Sequence, residues 1–133
     1  MKESVKQQQV DDLISHFWRN GYLTLSRKYG KYLPEPRSVG QYDVDAIGRQ
    51  KKKYAIGILL TEEDLKNPKV FSKLEYLATR HTKYTNKRVT LFVGVPKHLF
   101  NTVKLDIANL SEEAQKSIKL VSIRNSNKNR FIN

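Results

Sequence analysis

The 133-residue chain sets 25 Lys and Arg against 13 Asp and Glu, a formal net charge of +12 with a pI near 9.9, so a polyanionic partner is favoured. It contains no Cys, which excludes disulfides and thiolate metal sites. The longest apolar run, Tyr54 to Leu60, is far short of the roughly 20 residues that span a bilayer, so no membrane partner is expected.

The polar start MKESVKQQQVDD has no signal-peptide character, and the chain reads as soluble and intracellular, in the cytoplasm. A single domain over 1–123, followed by a basic polar tail over 124–133, is the simplest division. Val5, Val10, Leu13, Ile14 and Phe17 recur at helical spacing until Asn20-Gly21 stops them, which predicts an amphipathic helix over Ser4–Arg19 with Phe17 and Trp18 packed. Tyr22–Ser26 alternates as a short strand. Gly30, Pro34, Pro36 and Gly40 mark a loop over Arg27–Gly40. Two strands follow, Gln41–Gly48 and Lys53–Leu60, joined by the basic turn Arg49-Gln50-Lys51-Lys52.

Thr61-Glu62-Glu63-Asp64 supplies an N-cap and acids for a helix start, and Asn67-Pro68 predicts a break before the main helix over Lys69–His81. One face of that helix carries Val70, Leu74, Leu77 and Ala78; another carries Lys69, Lys73 and Arg80, with Lys66 just upstream and Tyr76 among them. Arg88–Val95 is the most hydrophobic strand and is expected at the centre of the sheet. A helix over His98–Asn109, a short helix opening at Ser111-Glu112-Glu113 and a last strand over Ile118–Ile123 complete the order α-β-β-β-α-β-α-β. The expected class is α/β, a central mixed sheet flanked by helices.

Val44-Asp45-Ala46-Ile47-Gly48 followed by Lys52-Lys53-Tyr54, together with the helix-to-glycine step LISHFWRNGY over Leu13–Tyr22, resembles the restriction-endonuclease-like PD-(D/E)XK superfamily. Within it the likeness is closest to archaeal Holliday-junction resolvases. The resemblance covers about Val10 to Ile123 and implies an apolar-Asp strand, a turn, and a return strand ending in Glu-x-Lys. In that family carboxylates hold Mg²⁺ against the scissile phosphate while the lysine stabilises developing charge, and a hairpin converges them because side chains at i and i+2 share a strand face.

Carried across, Asp45 matches the metal-binding Asp. The usual Glu falls on Ile58, or on Gly57 in a turn one residue shorter, and the usual Lys falls on Leu60 or Leu59. The acid that some members carry on the first helix lands near Val10, with Asp11 and Asp12 turned about 100° per residue around the helix. The resemblance therefore implies the scaffold of a nuclease without most of its site.

Three compensations are open. Asp43 shares a strand face with Asp45 in the expected strand, and Glu62 or Glu63 could reach back from the helix start, although solvation and helix-dipole roles are the plainer readings. One of Lys51, Lys52 and Lys53 could replace the lost lysine, or the run could touch phosphates. His16, His81 and His98 lack metal-ligand spacing, and His81 is expected to cap its helix. Tyr29 and Tyr32, interleaved with Arg27, Lys28, Lys31 and Arg37, suit either base stacking or packing on the domain.

The expected function is nucleic-acid binding, DNA above RNA, by a pseudo-nuclease. Arg49 to Lys53, the Lys66, Lys69, Lys73 and Arg80 face and the Arg124 to Arg130 tail are expected on phosphates. An active Mg²⁺-dependent deoxyribonuclease using Asp45 with relocated carboxylates, and a non-catalytic assembly or regulatory subunit, are the alternatives. No cofactor is expected unless the site is active, and a homodimer is open.

Overall fold

The computed structural model describes residues 2–83 and 86–124. Helix α1 (Lys2–Arg19) leads through a turn at Gly21 into β1 (Leu23–Arg27), and β2 (Ala46–Gln50) and β3 (Lys53–Leu59) form the expected hairpin. Two helices, α2 (Glu62–Lys66) and α3 (Lys69–Ala78), lead to β4 (Thr90–Pro96). A 3₁₀ turn (Lys97–Leu99), α4 (Phe100–Ile107) and α5 (Glu112–Ser117) then lead to β5 (Ile118–Ile123).

The five strands lie in the order β1-β2-β3-β4-β5. The first three pair antiparallel, whereas β4 runs parallel to β3 and β5 parallel to β4. Both parallel joins need a crossover, and α2–α3 and α4–α5 supply them.

Period-2 alternation splits the core in two. On one face Ala55 and Phe92 meet Val10, Leu13, Ile14 and Phe17 of α1. On the other, Ile56, Ile58, Leu91 and Val93 meet Val70, Leu74 and Leu77 of α3, Val103 of α4 and Ala114 of α5. Helix α1 sits close to the sheet because β2 and β3 present glycines beneath it. A Cβ on Gly48 would stand 2.9 Å from Phe17, and one on Gly57 would stand 3.0 Å from Leu13 and Phe17.

Several boundaries differ from the sequence reading. The strand expected from Gln41 begins only at Ala46, because Val39 and Tyr42 bridge across a turn at Gly40 and occupy that backbone locally. The hairpin turn is shorter than expected: Gln50 pairs with Lys53, and Lys51 takes up the reversal in the left-handed region at φ 55°. Helix α3 ends at Ala78, so His81 is not its cap; it bridges to Arg88 instead. Trp18 is 67% exposed, one step off the α1 stripe that buries Phe17. Among the described residues no helix is long and apolar enough to cross a membrane.

Candidate nucleic-acid interface

Asp45 stands one residue before β2, and its side chain completes the ladder there. Its N–H donates to the Gly57 carbonyl at 2.9 Å, and its Oδ2 accepts the Leu59 N–H at 2.8 Å. Lys28 donates its backbone N–H to the Asp45 carbonyl at 2.9 Å and holds its Nζ 3.8 Å from Oδ1. Burial pushes the Asp45 carboxyl above its ordinary range, outweighing the Leu59 hydrogen bond and the charges of Lys28 and Lys73; nearby Asp64 adds to the upward push.

No second acid meets Asp45 on the return strand. Ile58 and Leu60, 0% and 2% exposed, lie in the core against α3. Gly57 and Leu59 face α1 instead, and they are equally apolar. Asp43 does not share a strand face with Asp45, since β2 starts after both; it is exposed and accepts from Ser38 Oγ at 3.3 Å. Glu62 lies 3.3 Å from His98 and Glu63 3.7 Å from Lys66, both exposed. The acid of α2 that acts on Asp45 is Asp64, the residue three after the N-cap. Its Oδ2 is already engaged by the Thr61 N–H at 2.8 Å and Oγ1 at 3.0 Å in a capping box.

Asp11 and Asp12 of α1 are also committed, Asp11 to Arg27 at 2.7 Å and Asp12 to Arg124 at 2.8 Å. Among the described residues no three His, Asp or Glu side chains are placed to hold a metal ion. With one Asp45 oxygen taken by a backbone N–H and the other facing an ammonium, this donor set does not fit Mg²⁺, which wants near-octahedral oxygens.

The cations gather elsewhere. Because β4 runs parallel to β3, the segment between α3 and β4 lies at the same end of the sheet as the β2–β3 turn. Between them is a groove of about 540 Å³ lined by Arg49, Lys52, Arg80 and Lys83, with Tyr54 and His81. Its floor is Val39, Ile47, Ile56 and Val89. Among the described residues no Asp or Glu lines it; Glu113 reaches its rim, with Oε2 3.7 Å from His81 Nε2.

The rim is held by the fold. The Arg49 guanidinium stands 5.7 Å from the centre of the Tyr54 ring, with its Nε donating to the Lys51 carbonyl at 2.7 Å. Arg80 stacks 3.9 Å from the centre of the Tyr76 ring and donates from Nε to the Tyr76 carbonyl at 2.9 Å. Two of the regions expected to touch phosphates, the hairpin turn and the end of the α3 basic face, thus meet in one place.

The other candidates are dispersed. Lys69 and Lys73 line a separate hollow of about 280 Å³ with Glu63 and Asp64, while Lys66 pairs with Glu63. Lys51 and Lys53 are exposed outside the groove lining, and Lys31 and Arg37 are exposed in the β1–β2 loop. Arg27 and Lys28 are held by Asp11 and Asp45. The two loop tyrosines part company: Tyr29 packs against the α1 core, whereas Tyr32 is 95% exposed. Arg124 is bound to Asp12, and the rest of the expected tail interface, 125–133, lies outside the described residues.

Tyr54, His81 and the apolar floor are not among the binding residues expected from the sequence. Period-2 spacing carried the signal for most of them: Ile47-x-Arg49 and Lys52-x-Tyr54-x-Ile56 place cation, ring and hydrocarbon on one sheet face.

Comparison of the chain with models of known protein families, with curated proteins and with solved structures returned no match. The molecule is defined by its own geometry: an α/β chain with a five-stranded mixed sheet and a cation-rimmed groove at one end of it.

Proposed function

We propose that this chain binds nucleic acid, in the first instance DNA, on a restriction-endonuclease-like scaffold whose Glu-x-Lys pair is replaced by hydrocarbon. The scaffold reading rests on an antiparallel β1-β2-β3 meander continued by parallel β4 and β5, with α1 before it and α3 crossing from β3 to β4. The observation that carries the binding reading is the meeting of Arg49, Lys52 and Arg80, from separate elements, around a groove that no carboxylate of the described residues lines.

Phosphates supply the partner charge. Arg and Lys side chains in this arrangement release counterions when they replace them on a backbone, so binding is driven by charge and weakens with salt. Asp45 plays a structural part, tying the start of β2 to the end of β3.

The reading is tested by gel retardation of a four-way junction, a duplex and a single strand in buffer with Mg²⁺. Retardation with every strand left intact is expected. No retardation of any of the three removes the reading, and cleavage that Asp45→Ala abolishes replaces it with that of a nuclease.

A further inference from the structure

The groove is more than a charged surface. Its volume of about 540 Å³ lies within the roughly 300–1,000 Å³ of small-molecule sites, and its lining divides into an apolar floor and a cationic rim. A duplex backbone needs only the rim. The floor, with Ile47 and Val89 beside the Tyr54 ring, offers a place for something flat and apolar that arrives attached to an anion.

We propose that this groove takes one unpaired nucleotide, its base against Tyr54 and Ile47 and its phosphate on Arg49, Lys52 and Arg80. The inference rests on the nucleic-acid reading above and narrows it. An unpaired base exposes a π face that stacks on aromatic rings and guanidinium planes, and the Arg49–Tyr54 pair presents both kinds of surface. The charge complementarity favours an anion: among the described residues the lining brings cations and an imidazole to the rim, with the Glu113 carboxylate beyond it against His81. The same chemistry arises from a nucleotide within a strand or from a free nucleoside monophosphate.

The test measures anisotropy and 2-aminopurine emission with three probes at one salt concentration. They are a fully paired duplex, the same duplex with a single 2-aminopurine bulge, and free 2-aminopurine deoxyriboside monophosphate. The bulged duplex is expected to bind about tenfold tighter than the paired one, the increment of one stacked base, with a change in emission on binding. Tyr54→Leu, which keeps apolar volume and removes the ring, should erase that preference by weakening the bulged probe about tenfold more than the paired duplex. Arg49→Ala, on an exposed position, should weaken the bulged probe even if the Tyr54 variant folds poorly.

An emission change with the free monophosphate alone assigns the groove to a free nucleotide and supports the site. Equal binding of bulged and paired duplex without an emission change overturns the groove inference and leaves nucleic-acid binding standing. No binding of any probe overturns both.

Discussion

The Asp45 carboxylate and the Leu59 N–H form a 2.8 Å hydrogen bond that does the work of a missing rung in the β2–β3 ladder. Burial nevertheless holds the Asp45 carboxyl above its ordinary range, so its ionised form is disfavoured in the folded chain. Asp45→Asn keeps an acceptor for Leu59 and removes the buried charge, and it should raise the melting temperature at neutral pH. Asp45→Ala leaves the Leu59 donor unanswered and should cost roughly 1–3 kcal/mol. A group whose folded pKa is raised contributes most below its unfolded pKa and loses that contribution as pH rises through the folded value. The advantage of the Asn variant should therefore open across the acid range and close again where Asp45 is protonated in both states, as read by melts from pH 3 to 7.

Ile58 and Leu60 occupy the places where the family resemblance puts an acid and a lysine, and both are buried against α3. Restoring the motif with Ile58→Glu should place an unpaired carboxylate in that core and cost roughly 3–5 kcal/mol, enough to unfold many domains of this size. Urea unfolding reads this directly. A stable Ile58→Glu, Leu60→Lys variant that cleaves DNA in Mg²⁺ would show instead that these positions open onto solvent.

Asp12 titrates with the opposite sign. Burial pushes its carboxyl up, but hydrogen bonds from the Arg124 side chain and backbone and the Arg124 charge together pull it below its ordinary range. This pair contributes stability above the unfolded pKa and loses it as pH falls through the lower folded value. Arg124 is half exposed, so screening limits the effect. Asp12→Asn should cost about 0.5–1 kcal/mol at pH 7 and progressively less as pH falls below the ordinary carboxylate range, by thermal melts across that range.

The regular parts of the fold were legible because their periodicity is long or strongly apolar. The α1 stripe, the α3 stripe and the Leu91–Val95 run each matched the element observed, within a few residues. The start of β2 was not legible, since Gln41 to Asp45 alternates like a strand while the Val39–Tyr42 bridge holds that backbone in a turn. Trp18 follows buried Phe17 in sequence, but 100° around a helix carries it into solvent. The apolar return strand was plain from composition alone. Which acid of α2 bears on Asp45 was not, because that depends on the capping box that fixes the Asp64 carboxylate at the helix start, whereas Glu62 and Glu63 attract attention by position. The groove escaped because it joins residues some thirty positions apart, Arg49 and Arg80, through the parallel pairing of β3 and β4.

Arg49, Lys52 and Arg80 acting together on phosphates is the central claim, and the salt dependence of DNA affinity measures it most directly. Fluorescence anisotropy of the wild type and of the Arg49→Ala, Lys52→Ala, Arg80→Ala triple variant gives the slope of log K against log salt for each. The wild-type slope should be steep, and the triple variant should bind more weakly with a slope shallower by about 3, one unit for each phosphate that is no longer neutralised. Equal slopes in two folded proteins, or an affinity indifferent to salt, would contradict the account.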